Sequence, residues 1–156
     1  MGKGRQRTRR GGMTLVEVVV VLLVIGLLAA AGLPAYLRAR RYVRCSRFAN
    51  DIRVATDAFQ QYNLDQGDYP PDRWPGQIPP GMAGYLEGLD FRAPTVLGGQ
   101  WDWDNGQFGY RAGVSVYQPE VSREEMRVAD RILDDGNLGT GLFRQRSQGY
   151  IYIIEF

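Results

Sequence analysis

The chain has 156 residues, of which 44% are hydrophobic and 23% are charged, so it is neither a disordered chain nor a membrane protein with many spans. Histidine is absent, which excludes Ser/His and Cys/His nucleophile arrangements and removes the commonest metal ligand. The single cysteine, Cys45, excludes an internal disulfide and a cysteine-rich zinc site.

The net charge of +2 is unevenly distributed along the chain. Residues 1–12 contain no acid and five basic residues, namely Lys3, Arg5, Arg7, Arg9 and Arg10. The rest of the chain has 14 basic residues, all arginine, against 17 acidic ones. Nucleic acid is therefore not predicted as a partner of the globular part.

Residues 13–33 form an apolar segment of 21 residues with one charged side chain, Glu17. At about 1.5 Å per residue, a helix of this length spans about 31 Å, close to the hydrocarbon thickness of a bilayer. Residues 18–33 have no polar side chain, so every face of the helix is apolar, which is typical of a membrane span. The basic flank predicts a cytoplasmic N-terminus, although residues 38–47 also contain five arginines.

Glu17 has two interpretations. A carboxylate in a membrane helix costs roughly 2.5–3.5 kcal/mol at the bilayer centre and less near the interface. Glu17 either lies just inside the headgroup region and interacts with the helix N-terminal dipole, or it pairs with a cation from another chain.

The segment from Gly11 to Glu17, with sequence GGMTLVE, together with the apolar run that follows it, resembles the class III signal of type IV pilins and type II secretion pseudopilins. The resemblance implies that prepilin peptidase cuts between Gly12 and Met13 and that Met13 is then N-methylated. It also implies that Glu17 faces the N-terminal amine of a neighbouring subunit in a filament. Pro34 stands where the family commonly has a proline that kinks the helix.

The resemblance further implies the partners and the location of the protein. The partners would be prepilin peptidase, other copies and other pilin-like subunits, an inner-membrane assembly platform with its ATPase, and the lipid bilayer. The protein would be a single-pass protein of the bacterial inner membrane, with its globular part in the periplasm or outside the cell. Pilus and secretion pseudopilus, and major and minor subunit, stay open.

Two alternatives use the same N-terminal segment differently. A secretory signal peptide cleaved after Ala31 would release a secreted enzyme, but its apolar region would then contain Glu17. A membrane-anchored module that binds glycan, DNA or protein would use the helix only as a tether and would not polymerise.

Beyond Pro34, apolar residues recur every three or four positions, which predicts an amphipathic helix that ends near Gly67. They are Cys45, Phe48, Ile52, Ala55, Phe59 and Tyr62. We therefore expect four parts: a cleaved leader (1–12), a membrane or filament-core helix (13–33), the amphipathic half of the same helix (34–66) and a loop-rich part with antiparallel strands (67–156). The last two would form one globular domain.

The remaining sequence predicts a small sheet. Residues 68–98 are rich in proline and should be an irregular loop packed over the helix, with a short helix at 84–89. Residues 100–104 and 108–117 alternate in polarity around Asn105-Gly106, which predicts a hairpin with core packing by Trp101, Trp103, Phe108 and Tyr110. Ser122 to Glu125 predicts a capped helix to about residue 133, and residues 149–156 a closing strand. The predicted fold is α+β and pilin-like, with a long helix on about three antiparallel strands.

Two groups of acidic residues are candidate sites. Asp130, Asp134, Asp135 and Asn137 form an oxygen-rich loop that could hold calcium, although a plain turn is the simpler interpretation. Asp102 and Asp104 share one strand face, as a glycosidase carboxylate pair could. No groove or further catalytic group accompanies them in the sequence, so neither catalysis nor a cofactor is predicted. The predicted function is a structural filament subunit.

Overall fold

The computed structural model describes residues 12–156 of the chain. Its elements are helix α1 (Leu15–Gln66), strands β1 (Gln100–Asn105) and β2 (Ala112–Tyr117), helix α2 (Arg123–Leu133), and strands β3 (Phe143–Arg146) and β4 (Gly149–Glu155). The fold is α+β with a long N-terminal helix and a small antiparallel sheet, as predicted.

Helix α1 has 52 residues and continues through Pro34 without interruption. It ends as predicted: Gly67 adopts a positive φ of 82°, and its N–H donates to the carbonyl of Asn63 at 2.8 Å. The chain divides into two compact units, one ending at Arg38 and one comprising Ala39–Phe156.

The second half of α1 has the apolar stripe that its sequence predicts. Cys45, Phe48, Ile52, Ala55 and Phe59 are all fully buried. Phe48 stacks on Trp101 with ring centroids 5.8 Å apart, and Phe59 stacks on Trp103 at 3.7 Å. The aromatic rings of the first strand therefore lie directly on this stripe.

The sheet has the strand order β1-β2-β4-β3, with every neighbouring pair antiparallel. Trp101, Trp103, Val114 and Val116 point to the core face, since side chains alternate along a strand. Asp102, Asp104 and Ser115 consequently lie on the opposite face, and they too are buried.

The proline-rich segment between α1 and β1 packs over the core, as predicted. It contains no helix or strand, and its buried side chains include Tyr69, Met82, Leu86, Phe91 and Leu97. The short helix predicted at 84–89 is wrong: these residues form successive turns, and the amides of Tyr85 and Leu86 both donate to the carbonyl of Met82.

The predicted hairpin is partly wrong. Asn105-Gly106 does leave the first strand, with a φ of 68° at Gly106, but the second strand begins at Ala112 and not at Phe108. The loop between them is therefore longer than a tight turn. Phe108, with a φ of 53° and 46% exposed, and the half-buried Tyr110 lie in this loop and not in the core.

Strand β3 was not predicted. Its sequence, FRQR, is short and carries two arginines, which is typical of an edge strand and gives little hydrophobic signal. It pairs with β4 across a turn in which Gln148 adopts a φ of 61°. The sheet therefore has four strands where three were expected.

Helix α2 is capped as predicted. The Ser122 hydroxyl accepts a hydrogen bond from the amide of Glu125 at 3.2 Å. The Glu125 carboxylate faces Arg44 of α1 at 3.5 Å, and Arg44 also donates to the carbonyl of Val96 at 3.1 Å. Arg44 thus joins α1 to α2 and to the loop before β1.

Candidate functional site

The N-terminal end of α1 is held by a reciprocal capping box. The amide and the hydroxyl of Thr14 each donate to Glu17 Oε2 at 3.1 Å, and the amide of Glu17 donates to Thr14 Oγ1 at 3.2 Å. Each side chain therefore satisfies an amide that the first helical turn leaves unpaired.

The sequence predictions do not include this capping box, although the spacing of Thr14 and Glu17 is the same Ser/Thr-x-x-Glu pattern that correctly predicts α2. The structure places Glu17 at the helix start, where its charge complements the helix dipole. Gly12 and Met13 immediately precede the box and are exposed. The basic residues of the leader lie outside the described residues.

None of the described residues covers the apolar half of α1. Of the described helices, α1 is long and apolar enough to cross a membrane, and none of its most apolar 18-residue stretch is buried. Leu22, Leu23 and Ile25, for example, are 62%, 62% and 56% exposed. Soluble proteins rarely leave so large a continuous apolar surface exposed, so this surface needs lipid or protein to cover it.

The predicted calcium loop follows α2. Asp130, Asp134 and Asp135 each offer a carboxylate oxygen, and these oxygens lie within 4.8 Å of one another. Oxygens bound to one calcium ion at about 2.3–2.6 Å lie at most about 5 Å apart, so the spacing fits. Asn137 lies in the same loop, but its side-chain oxygen accepts from the amide of Gly139 at 3.2 Å.

The three carboxylates differ in their surroundings. Asp130 is fully buried, and neither of its oxygens has a hydrogen-bond partner among the described residues. Burial, followed by the charges of Asp135 and Asp134, raises the pKa of Asp130 to about 6. Asp135 accepts from Thr140 Oγ1 at 2.6 Å, and this hydrogen bond lowers the pKa of its carboxyl group. Asp134 accepts from the amide of Leu142.

Asp102 and Asp104 lie on one strand face, as their alternation predicts, and they share one guanidinium group. Arg146 reaches from β3 to Asp102 Oδ2 at 2.5 Å and to Asp104 Oδ2 at 3.7 Å. Ser115 donates to Asp104 and accepts from Arg146 Nε at 3.1 Å. Burial, followed by the charge of Asp104, raises the pKa of Asp102 to about 7, and burial also raises the pKa of Asp104.

The expectation that no groove accompanies this pair is wrong. A groove of about 600 Å³ opens above Asp102 and Asp104, between the loop at 72–75 and the loop at 107–108. The sequence could not show it, because its walls come from separate segments between residues 72 and 148 that only folding brings together. The glycosidase interpretation gains nothing from the groove, because Arg146 binds both carboxylates.

Comparison with known proteins gives matches to part of the chain. Residues 7–33 match the family described as "Prokaryotic N-terminal methylation motif". Two proteins named type II secretion system core protein G, from Pseudomonas aeruginosa and Aeromonas hydrophila, are each 32% identical over 65 residues. The fimbrial protein EcpC of Eikenella corrodens is 38% identical over 64 residues.

These matches support a relation to the type IV pilin and pseudopilin family. The resemblance inferred from GGMTLVE and the apolar run is thus confirmed. This family consists of structural subunits and is not an enzyme family. The uncovered apolar helix and the prepilin motif fit a pilin that is anchored in the inner membrane.

The matches cover less than half of this pilin-like chain and of its relatives. They span 42% of the chain and 46% of each core protein G, and 39% of the chain and 40% of the fimbrial protein. No solved structure matches the chain.

Proposed function

We propose that the chain is a structural subunit of a type IV pilus-like or type II secretion filament that is polymerised from the inner membrane. The observation that carries the proposal is the apolar half of α1, which no other part of the described chain covers. In the membrane, lipid covers this surface. In a filament, the same surface packs against the helices of other subunits, and its small residues allow close approach. In this proposal residues 13–33 are the filament core and residues 34–156 the globular part.

Processing creates a cationic partner for Glu17 on a neighbouring subunit. Prepilin peptidase cuts between Gly12 and Met13, removes the leader of residues 1–12, and leaves a new amine that is methylated on Met13. Glu17 lies at the same end of α1, where it and Thr14 cap the helix. In this proposal its carboxylate pairs with the amine of a neighbouring subunit. Opposite charges in a low-dielectric core cost much less together than apart, so the pair can fix the axial register of subunits.

Topology and partners follow from the same proposal. The basic leader holds the N-terminus in the cytoplasm, and the part after the membrane helix lies in the periplasm. Pro34 bends the helix between these parts, because its ring removes one helical hydrogen bond. The sequence has no phosphate-binding glycine loop, so an ATPase on the assembly platform supplies the energy for extraction from lipid.

A cysteine ladder tests the filament core. Single cysteines placed along residues 18–33 should crosslink between subunits of assembled filaments with a helical periodicity. The natural Cys45 gives little background, because it is fully buried and burial raises the pKa of its thiol. A tether for a membrane-anchored binding module would give no periodic ladder, and that result would overturn the filament proposal in favour of this alternative.

The intact mass of the mature protein tests the processing. We expect the mass of residues 13–156 with one additional methyl group. A chain that keeps its leader and still forms filaments would contradict the role of the new amine. A chain that begins at Gly32 would show cleavage by signal peptidase and would identify a secreted protein.

We also propose that the loop after α2 holds calcium. The buried, unpartnered carboxylate of Asp130, beside Asp134 and Asp135, supports this proposal, since a cation would supply the partner that the described residues do not. Asn137 could add a further oxygen. Calcium should raise the thermal midpoint of the wild type but not that of Asp135→Asn. Equal midpoints with calcium and with a chelator would contradict the site.

A further inference from the structure

We propose that the groove above Asp102 and Asp104 binds a neutral carbohydrate. This site is separate from the filament proposal, because every residue that lines the groove lies in the unit formed by residues 39–156. With about 600 Å³, the groove is inside the range of about 300–1,000 Å³ that is usual for small-ligand pockets.

The floor of the groove is a fixed array of hydrogen-bonding groups. The side chains of Arg146, Asp102 and Asp104 are 6%, 8% and 6% exposed. Arg146 is held on three sides, by Asp102, by Ser115 Oγ and by the ring of Phe108, whose centroid lies 4.6 Å from the guanidinium carbon. Because these side chains are already held in place, little free energy of binding is lost in ordering them when a ligand binds.

The floor also has acceptor atoms that make no hydrogen bond with other described residues. Within residues 12–156, the hydrogen bonds and ion pairs of both carboxylates end on their Oδ2 atoms. The two Oδ1 atoms therefore remain for hydroxyl donors of a ligand. Since residues 102 and 104 are two apart on one strand, these acceptors are spaced along the groove, as the hydroxyl groups of a sugar chain are.

The rim adds amides and aromatic rings. Gln100, Gln107 and Gln148 are exposed and can both donate to and accept from hydroxyl groups. Trp74 is 78% exposed, although the turn that carries it is fixed to β1 by the amide of Gly76, which donates to the carbonyl of Trp101 at 2.7 Å. A large indole face exposed on a fixed turn is an apolar platform for the C–H face of a sugar ring.

The charge of the groove favours a neutral ligand over an ion. Three carboxyl groups (Asp72, Asp102 and Asp104) line the groove together with two guanidinium groups (Arg73 and Arg146). With all five groups ionised, the groove carries one net negative charge. The raised pKa of Asp102 reduces this charge at neutral pH. An anion would meet the carboxylates, and a cation would compete with Arg146 for them.

The backbone supports a built site. Among the described residues, three that are not glycine adopt a positive φ, and two of them, Phe108 and Gln148, line the groove. A left-handed backbone is unfavourable for a bulky aromatic residue, and such strain is concentrated at binding sites. Here it places the ring of Phe108 against Arg146.

The test uses the full-length protein in a detergent without a sugar headgroup, because maltoside and glucoside detergents would compete for the groove. The probes are neutral polysaccharides (dextran, laminarin and galactomannan), and retardation in native affinity gels measures binding. Polylysine is the cationic comparison. Trp74→Ala and Gln100→Ala alter the exposed rim without disturbing the core. Tyr42→Ala removes a comparably exposed ring, 58% exposed, on the face of α1 outside the groove.

We expect at least one neutral polysaccharide to bind the wild type and Tyr42→Ala equally. Trp74→Ala should weaken this binding by about tenfold, and Gln100→Ala by a smaller factor. Three results would overturn the proposal: no neutral polysaccharide binds, Trp74→Ala binds as the wild type does, or the groove variants lose binding to polylysine only. None of these results bears on filament assembly, so failure of the carbohydrate site leaves the filament proposal standing.

Discussion

The two halves of helix α1 have the same backbone but opposite relations to the rest of the chain. The first half is apolar on every face, and none of its most apolar stretch is buried. The second half has an apolar stripe whose members are fully buried under the sheet and the proline-rich loop. Since both halves are helical, propensity does not distinguish them. The distribution of apolar residues around the helix axis distinguishes them. A single apolar stripe is buried by the sheet and loop of the same chain, whereas a helix that is apolar on every face needs lipid or other chains to cover it.

The acidic side chains of the two units also differ in where their hydrogen-bond partners come from. Glu17 is satisfied by Thr14, three residues away, so its local structure needs no tertiary contact. Asp102 is satisfied by Arg146, which is 44 residues away, and is buried by the sheet. Substitutions in the first unit should therefore affect assembly, and substitutions in the second unit should affect folding.

The largest expected effect is on filament yield, and it distinguishes the charge of Glu17 from its role as a helix cap. Glu17→Gln keeps an acceptor that suits a capping box but removes the charge, and Glu17→Ala removes both. We expect both variants to insert into the membrane normally and to yield almost no filaments when sheared fractions are compared with membrane fractions.

Thr14→Ala is the matched control for this series. It removes the cap, at a cost of about 1 kcal/mol of helix stability, and leaves the charge of Glu17 in place. It should still assemble. Normal filament yield from Glu17→Gln would mean that Glu17 acts only as a helix cap.

The next largest effect is on the free energy of unfolding, and it is tested by truncating one large side chain in each unit. Phe59 is fully buried between Trp103 and Phe91, so Phe59→Ala should lower the free energy of unfolding of the second unit by about 3–5 kcal/mol. Leu22→Ala, at a residue that is 62% exposed, should leave it unchanged. Denaturation followed by the fluorescence of the buried tryptophans measures both. Equal losses would contradict the division into two units.

A smaller effect concerns pH. The folded pKa of Asp102, about 7, lies above the ordinary value of 3.8, so the folded state binds this proton more tightly than the unfolded state does. The resulting stability is fully present below about pH 4 and is lost as the pH rises through about 7. Asp102→Asn should therefore reduce the loss of stability between about pH 4 and pH 8 by roughly 1–4 kcal/mol. Asp57→Asn, at an exposed residue of α1, is the control. A pH profile of stability for Asp102→Asn that is identical to that of the wild type would refute the prediction.

The smallest effect is at the cap of α2. Ser122→Ala removes the hydroxyl that accepts from Glu125 and should cost about 1 kcal/mol in urea denaturation. Ser147→Ala, in the turn between β3 and β4, should cost less, because the described hydrogen bond at Ser147 uses its backbone carbonyl. A larger loss from Ser147→Ala would show that the local capping argument is mistaken for α2.

Elements with strong local signals were predicted well. The apolar stripe from Cys45 to Phe59, the glycine end of α1 and the cap of α2 each depend on residues within one or two helical turns. The helix expected at 84–89 and the early start of β2 failed because turns can satisfy the same backbone groups, and tertiary packing selects between them. Strand β3 has too few apolar residues to be recognised without its partner β4.

The sequence by itself determined the family, the long helix with its uncovered first half, and the alternation that puts Asp102 and Asp104 on one face, because each of these depends on spacing along the chain. The tertiary structure alone decided that Arg146 binds both carboxylates and that loops 72–75 and 107–108 enclose a groove above them. These contacts join residues that are about 30–75 positions apart. No local pattern encodes such contacts, because they arise only when folding brings separate strands and loops together.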